Sequence, residues 1–257
     1  MEVEFDLRKS VPENAKSYYE RSKKLKDKIP GLRKAIEETK RKMEAGPVDS
    51  TGQQPKMRKR ELRRWFEKFR WFTSSDGLLV LGGRDATTNE VLIKKHLEPN
   101  DLVFHADAPG APFFVVKNPQ GVTVPEGTRG EAAAAAASYS RLWSGGLAAA
   151  DVYEVDPNQV SKSPPAGEYL TKGAFMVYGQ KRWHRGVELK VAVGVTNEGA
   201  VVGGPATPIS AIAKRHVMIL PGDVKQGELA KEIKRRLGEA DLDLIQRFLP
   251  PGGGRLM

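Results

Sequence analysis

The chain has 257 residues and no cysteine, and its 42 Lys and Arg against 32 Asp and Glu give a formal charge of +10. The absence of cysteine excludes a disulfide scaffold, a zinc ribbon, an iron–sulfur cluster and thiol catalysis. At roughly 100–200 residues per domain, the length allows one large domain or two modest ones. There is no run of about 18 apolar residues to span a bilayer, and the N-terminal residues lack the basic-then-apolar order of a signal peptide. We therefore expect a cytoplasmic protein without a membrane partner.

The positive charge is concentrated in the first third of the sequence. Residues 1–75 hold 21 Lys and Arg against 12 Asp and Glu, whereas the remaining residues are nearly neutral. Within that third, residues 56–70 carry eight cations and two anions. Such a cluster is typical of proteins that neutralise phosphates, because each Lys or Arg releases a condensed counterion. The alternative is an ordinary solvated, charged helix face.

The basic third is predicted to be helical. Ser10 and Glu13 fit a capping box, and the polar, charge-alternating segment that follows predicts a long helix to about Ala45. Pro30-Gly31 should kink or split this helix. Residues 46–55 indicate a loop, and residues 56–72 indicate a second helix that ends in aromatic side chains. We therefore expect an antiparallel helical, coiled-coil hairpin over residues 1–72, with a basic return helix.

Residues 73–257 are predicted to form a second, α+β domain with a mixed β-sheet and flanking helices. Hydrophobic patterning and turn residues give the elements in chain order. The predicted strands are 76–82, 102–105, 113–117, 151–155, 174–178, 187–195, 199–203 and 216–220. The predicted helices are 87–96, with Asp85 or Thr87 as cap, 129–144, 208–215, 224–237 and 241–248.

The first cluster that could carry chemistry is the strand-to-helix junction Gly82-Gly83-Arg84-Asp85, followed by Asn89. Two glycines permit a tight turn, and the helix N-terminus after them could bind an anion. The spacing matches neither a P-loop nor a dinucleotide-binding fingerprint. The pattern is equally compatible with an alternative in which Arg84 and Asp85 pair with each other or cap the helix.

The second cluster is His105-Ala-Asp107 at the end of a predicted strand. Alternation along the strand would place both side chains on one side, where the carboxylate could orient the imidazole. That arrangement suits a general base or a metal site, but no nucleophile elbow and no ligand spacing accompany it. A structural or RNA-contacting pair is the favoured interpretation.

The third cluster interleaves cations with aromatic residues between Ser161 and Arg185. Such a pattern can clamp phosphates while exposed bases stack on the rings. The alternative is a Pro- and Gly-rich loop with ordinary surface charge. The cations concerned are Lys162, Lys172, Lys181, Arg182 and Arg185.

Read together, these segments resemble the NFACT family, which comprises NEMF-type ribosome-associated quality-control proteins and bacterial relatives labelled fibronectin-binding. The resemblance spans about residues 5–257 and covers a coiled-coil segment and the NFACT-R domain. It is carried by the segments WFEKFRWFTSS (65–75), DGLLVLGGRDA (76–86) with Asn89, HADAPGA (105–111), EAAAAAASYSRLW (131–143), DVY (151–153), QVSK (159–162), GEYL (167–170) and KGAFMVYG (172–179).

The resemblance implies an RNA-binding module that contacts large-subunit rRNA, tRNA or both on stalled, split ribosomes. It implies no enzyme activity, cofactor or metal, and it implies a pocket formed by Arg84, Asp85, Asn89, His105 and Asp107. The family's large NFACT-N domain is not found in these residues, so the resemblance leaves two alternatives: a fragment of a longer NFACT protein, or a stand-alone protein with a separate NFACT-N-containing protein as partner. The phosphate contacts predicted from the charge pattern are Lys56, Arg58, Lys59, Arg60, Arg63, Arg64, Lys68, Lys94 and Lys95.

Two rival functions remain open from the sequence. One is a stand-alone protein or enzyme of RNA or tRNA modification that uses the pair His105 and Asp107. The other is a hairpin that docks a ribosomal or nascent-chain protein.

Overall fold

The computed structural model describes residues 10–44, 64–163, 170–238 and 240–257. Residue contacts divide the chain into two compact units, Met1–Glu61 and Leu62–Met257. Trp65–Phe72 therefore belong to the second unit, whereas the sequence-based boundary lies after residue 72. We describe each unit separately.

In the described part of the first unit, helix α1 spans Val11–Glu44. The Glu13 carboxylate accepts a hydrogen bond from the Ser10 backbone N–H at 2.8 Å, which is one half of the predicted capping box. It also accepts from the Ser10 hydroxyl at 2.7 Å. Pro30 lies inside the helix and does not split it. A proline removes one intrahelical hydrogen bond, but the helical turns on both sides of Pro30 keep their hydrogen bonds, so the helix continues through it.

The second arm of the predicted hairpin is only partly within the described residues. Residues 56–63 lie outside them. Residues that follow do not continue a helix: Trp65–Lys68 form one 3-10 turn, and Arg70–Thr73 form strand β1. Phe69 and Phe72 are buried in two different hydrophobic clusters, which an extended segment achieves by pointing alternate side chains to opposite faces. The prediction of a helix through residue 72 is therefore wrong.

The second unit alternates strands and helices, which confirms the α+β class. After β1, its strands are β2 (Leu79–Gly82), β3 (Leu102–Ala106), β4 (Phe114–Val116), β5 (Ala149–Val155), β6 (Val160–Ser161), β7 (Met176–Val177), β8 (Arg182–Glu188), β9 (Val191–Val195), β10 (Val201–Pro205), β11 (Arg215–Val224) and β12 (Gly254–Leu256). Its helices are α2 (Ala86–His96), α3 (Glu126–Ser138), α4 (Arg141–Ser144), α5 (Ala206–Ile212), α6 (Gln226–Leu237) and α7 (Leu242–Phe248).

The strands form a six-stranded sheet in the order β1-β2-β4-β3-β5-β8, a four-stranded sheet in the order β10-β9-β11-β12, and the pair β6-β7. Every pairing among the described residues is antiparallel, so the expectation of a mixed sheet is wrong. The crossover helix α2 joins β2 to β3, which run in the same direction. However, β4 lies between them and pairs with both in the opposite direction.

The central strands of the six-stranded sheet are buried on both faces. Val80 and Phe104 contribute to one hydrophobic cluster, together with the alanines of α3 and side chains of the four-stranded sheet. Their neighbours Leu81 and Val103 contribute to a second cluster, with Leu92 of α2. The alanine run allows α3 to approach the strands closely because no bulky side chain intervenes. The sheet is thereby held rigidly, and the loops at its ends are fixed in position.

One predicted helix is two helices. The segment 129–144 breaks at Tyr139-Ser140, where the Ser140 hydroxyl donates to the Ala137 carbonyl at 2.7 Å and accepts from the Leu142 N–H at 3.2 Å. A serine that satisfies backbone groups in this way caps a new helix, here α4. The break turns α4, and with it Arg141, toward the site described next.

Candidate nucleic-acid interface

A cavity of about 540 Å³ opens in the second unit where several loops meet the ends of the strands. It is lined by side chains and backbone from β1, the β2–α2 junction, the end of β3, α4 and β5. The lining residues are Arg70, Gly83, Arg84, Asp85, Ala86, Asn89, His105, Pro109, Gly110, Ala111, Pro112, Phe113, Tyr139, Arg141, Ser144, Tyr153, Thr171, Lys172, Gly173, Ala174, Phe175 and Pro251. We call this cavity the pocket.

Three arginines, Arg70, Arg84 and Arg141, line the pocket, and we call the parts of the pocket that they line the arginine end. The guanidinium carbon of Arg70 lies 4.3 Å from the centroid of the Tyr139 ring, and its Nη1 donates to the Leu249 carbonyl at 3.4 Å. Nη1 of Arg84 donates to the Arg247 carbonyl at 3.5 Å. In the described part of the chain, no carboxylate forms an ion pair with these three arginines. Their positive charge is therefore available to an incoming anion.

The charge at the arginine end persists at neutral pH. Burial, followed by the neighbouring charges of Arg247 and Arg70, lowers the pKa of Arg84 to about 10. Burial also lowers the pKa of Arg70. The adjacent Tyr139 cannot neutralise them, because burial raises the pKa of its hydroxyl to about 12. Bringing arginines together without a carboxylate is unfavourable in the empty protein, and a bound phosphate would relieve that repulsion.

A second group of lining residues, which we call the aromatic end, is formed by His105, Phe113, Tyr153 and Phe175. The His105 ring lies 4.5 Å from Phe113 and 5.4 Å from Tyr153, measured between ring centroids. Phe175 contacts Phe113 edge-to-face at 5.9 Å. Lys181 lies just beyond, with its Nζ 4.1 Å from the centroid of the Tyr153 ring.

His105 is a neutral member of this aromatic end. Its Nε2 lies 2.9 Å from the Ala111 carbonyl oxygen, which can only accept, so Nε2 carries the proton. Burial lowers the pKa of His105 to about 4, against the opposing effect of the Ala111 carbonyl. At pH 7 this residue therefore presents a flat, uncharged ring, and it does not act as a cation toward phosphate.

Asp85 and Asn89 position the pocket wall. Asp85 caps α2, since its Oδ1 accepts from the Thr88 N–H at 2.8 Å, which is one of the two interpretations that the sequence allowed. Asn89 is buried and uses both ends of its amide. Its Oδ1 accepts from the Phe113 N–H at 2.9 Å and its Nδ2 donates to the Gly173 carbonyl at 2.8 Å. Asn89 thus joins α2 to two loops that line the pocket.

Within the described residues, no hydrogen bond joins His105 to Asp107. The Asp107 N–H donates to the Asp151 carbonyl at 2.8 Å, which continues the β3–β5 register by one residue. The His105 Nε2 is bonded to the Ala111 carbonyl, and its Nδ1 has no hydrogen-bond partner. Asp107 is exposed and lines a separate surface depression with Asp151, whereas His105 lines the pocket. The predicted pairing of an imidazole with a carboxylate is not formed.

Several other predicted cations are engaged within the fold. Lys162 donates to the Thr171 carbonyl at 3.1 Å and to the Ala174 carbonyl at 2.9 Å, and it thereby holds the loop that carries Lys172. Lys172 itself is exposed and lines the pocket. The remaining pairs are Lys94 with Glu90 at 2.7 Å, Arg182 with Glu126 at 2.8 Å and Arg185 with Asp151 at 2.5 Å.

The predicted basic return helix contributes little to the described surface. Arg64, Lys68 and Lys95 are exposed and do not line the pocket. Lys68 Nζ lies 3.3 Å from His96 Nε2 and 5.0 Å from the Phe69 ring centroid. The other predicted contacts of this segment, Lys56, Arg58, Lys59, Arg60 and Arg63, lie outside the described residues.

The lining residues that the sequence did not single out as site residues include Arg70, Phe113, Tyr139, Arg141 and Tyr153. All of these except Phe113 lie in segments that carried the family resemblance, which was the available signal. Separately, the described residues contain no cluster of three or more His, Asp or Glu side chains placed to hold a metal ion. Nor does any helix in the described ranges combine the length and apolarity needed to cross a membrane.

Comparison with known proteins gives a consistent set of relatives. Residues 68–179 match the model of the NFACT protein RNA binding domain, and all pocket-lining residues except Pro251 lie in this range. The archaeal Rqc2 homolog aRqcH of Methanocaldococcus jannaschii is 41% identical over 98% of this chain and 39% of its own length.

Two animal relatives match over a shorter range. The ribosome quality control complex subunit NEMF of Homo sapiens is 40% identical over 66% of this chain and 16% of its own length. The NEMF homolog of Drosophila melanogaster is 38% identical over 70% of this chain and 18% of its own length. This chain thus spans well under half of the length of each relative.

Proposed function

Because this chain belongs to the NFACT family and carries that family's RNA-binding domain, we propose that it is an RNA-binding module of ribosome quality control. In this role it contacts large-subunit rRNA, tRNA or both on stalled, split ribosomes. The relatives named as Rqc2 and NEMF proteins support a role in ribosome quality control, and the match to the RNA-binding domain supports RNA as the ligand. A protein working on the ribosome would act in the cytoplasm.

The observation that carries the proposal is the set of cations at the arginine end that have no carboxylate partner. Folded proteins usually neutralise partly buried arginines with Asp or Glu. Here Arg70 and Arg84 instead donate to backbone carbonyls, which leaves their charge unneutralised. Arginine is suited to phosphate recognition because its planar guanidinium donates several hydrogen bonds at once. The pocket therefore provides a specific phosphate site in a domain whose body is otherwise nearly neutral.

The alternative of an RNA-modifying enzyme rests on a dyad of His105 and Asp107, and the structure gives that dyad no support. His105 donates to a backbone carbonyl, and Asp107 lines a different depression. The relatives' names likewise describe quality-control subunits and no reaction. We therefore propose a binding role in preference to a catalytic one.

A protein partner is also part of the proposal. The chain covers 39% of the length of the archaeal relative, so the complete activity of such a protein draws on further regions. We propose that an NFACT-N-containing protein works together with this chain. Co-purification of the two from cells after nuclease treatment would distinguish direct contact from a shared ribosome.

The binding function is tested by measuring the affinity of the full chain for tRNA as a function of salt concentration. A phosphate-contacting protein loses affinity linearly in log units, with a slope of about −0.7 to −0.9 per phosphate contact. Replacing Arg84 and Arg141 together by Gln should lower the affinity roughly 10-fold or more and flatten the slope by about 1 per lost contact.

The matched control is Arg215→Gln. Arg215 is exposed like Arg141 but does not line the pocket, so its replacement should leave the slope nearly unchanged. Binding that is absent or insensitive to salt would refute the RNA-binding function. An equal effect of the control and the pocket variants would refute the assignment of that function to the pocket.

A further inference from the structure

We propose that the pocket holds one unpaired nucleotide of the bound RNA, with a phosphate at the arginine end and the base against the aromatic end. This inference rests on the proposed RNA-binding function and adds the form of RNA that the protein selects. It predicts a preference for single-stranded segments, loops or ends over continuous duplex.

The two kinds of side chain that line the pocket are the first argument. Arg70 stacks on Tyr139 and lies close enough to Arg84 to lower its pKa, which places these groups together. His105, Phe113 and Phe175 also line the pocket, and their rings form a second connected group. A nucleotide has the same division, since a charged phosphate and a flat, uncharged base are joined by a sugar.

The shape of the site is the second argument. The volume of about 540 Å³ falls within the range of roughly 300–1,000 Å³ that small-molecule sites occupy. A concave site of this size can enclose a single unstacked base, whereas the bases of a duplex are stacked and paired and cannot enter it. A duplex could contact only the cations at the rim.

The third argument is the flatness and rigidity of the rings in the aromatic end. Two cations lie beside them, with Lys162 Nζ 4.9 Å from the Phe175 ring centroid and Lys181 Nζ 4.1 Å from the Tyr153 ring centroid. His105 is uncharged at pH 7 and is held by its hydrogen bond to Ala111, and Tyr153 remains protonated because burial raises its pKa to about 12. Flat neutral rings stack on any base, whereas a cationic imidazole would favour a second phosphate. The wall is thus suited to a base.

Close backbone approaches hold both ends in place. Gly110 has a φ of +74°, and a Cβ built there would lie 2.9 Å from Nη2 of Arg141. The guanidinium of Arg141 therefore packs directly against the glycine. Gly173, with a φ of +80°, packs against Ala86 in the same way, and Asn89 bonds its carbonyl. The pocket is consequently formed before a ligand arrives, which reduces the entropic cost of binding.

The experiment uses the full chain and a short fluorescein-labelled single-stranded RNA. Its affinity is compared with that of the same strand annealed to its complement, and with a series in which one nucleotide at a time is made abasic. We expect tighter binding of the single strand. We also expect one position, internal or terminal, where loss of the base weakens binding roughly 5- to 100-fold, the range typical of a base stacked on an aromatic ring.

Phe175→Leu removes an aromatic face while keeping most of the packing, and it should abolish the dependence on that one base. The control is Tyr178→Leu, because Tyr178 is exposed and does not line the pocket. Thermal unfolding of both variants verifies that they are folded. To test the arginine end, adenosine 5′-monophosphate and adenosine compete with the RNA. Adenosine 5′-monophosphate should displace the RNA at lower concentration than adenosine, and Arg141→Gln should remove that difference.

Three results would overturn the inference while leaving RNA binding intact: equal affinity for single strand and duplex, no position sensitive to loss of its base, or equal competition by the nucleotide and the nucleoside. If the wild-type chain binds no RNA at all, the proposed function is itself refuted, and the inference with it. The two failures are therefore distinguishable.

Discussion

Replacing Asn89 by Ala tests whether the pocket is held by the two hydrogen bonds of this side chain. Asn89 accepts from the Phe113 N–H at 2.9 Å and donates to the Gly173 carbonyl at 2.8 Å. Alanine removes both bonds and leaves the Phe113 N–H in a buried environment without a partner. The variant should therefore be less stable and should also bind RNA more weakly, because two loops that line the pocket are no longer connected to α2.

The expected size of the effect follows from these contacts. Each hydrogen bond contributes about 1 kcal/mol net, and a buried N–H left unpaired costs about 1–3 kcal/mol. Asn89→Ala should thus lower the free energy of unfolding by about 2–4 kcal/mol. For a domain of this size the melting temperature falls by about 2–4 °C per kcal/mol, so a decrease of roughly 5–15 °C is expected.

The assay is thermal and urea unfolding of Asn89→Ala beside Asn100→Ala. Asn100 is exposed in a turn, and surface replacements of this kind change stability by about 0.5 kcal/mol or less. If Asn89→Ala were no more destabilising than Asn100→Ala, the side chain would not hold the loops, and the preformed pocket inferred from it would be refuted.

Two further predictions concern residues that line the pocket. Gly173→Ala combines a positive φ with a Cβ only 2.7 Å from Ala86, whereas Gly199→Ala has the same kind of φ and open space around it. In thermal unfolding, Gly173→Ala should lower the free energy of unfolding by at least about 1 kcal/mol more than Gly199→Ala does. Equal losses would contradict the close packing. The pKa of His105 is lowered to about 4, below the value of about 6.5 in the unfolded chain. Near pH 5 the unfolded chain binds a proton at His105 that the folded chain does not bind, so this residue should lower the free energy of unfolding by about 2 kcal/mol between pH 7 and pH 5. Urea unfolding should show a smaller decrease in His105→Phe. The same pH dependence in this variant would place His105 in solvent.

Local patterns predicted the elements near the pocket well. The cap at Asp85, the helix after it and the buried strands on both sides follow from short-range chemistry: a carboxylate that binds free N–H groups, and alternating apolar residues that suit a sheet. Strand β8 was largely missed because its residues, RWHRGVE, are mostly polar. It is the edge strand of the six-stranded sheet, where exposed charges prevent pairing with another chain.

The site itself could be predicted only in part, because it is assembled from segments that are distant in sequence. The sequence singled out Arg84, His105 and Lys172, and all three line the pocket. Arg141 was not selected, since nothing in its own neighbourhood shows that the break at Ser140 turns α4 toward the pocket. Conversely, Arg182 is prominent in the sequence but is paired with Glu126, a partner 56 residues away that no local pattern indicates.

The central claim is that RNA enters the pocket, and ultraviolet cross-linking of the full chain to a uridine-containing single-stranded RNA tests it most directly. Mass spectrometry of the cross-linked peptides should locate RNA on Tyr153, Lys172 and Phe175, and the double replacement of Arg84 and Arg141 by Gln should deplete those cross-links. Cross-links confined to surfaces away from the pocket, such as the basic face of α6, and unaffected by the double variant would contradict the claim.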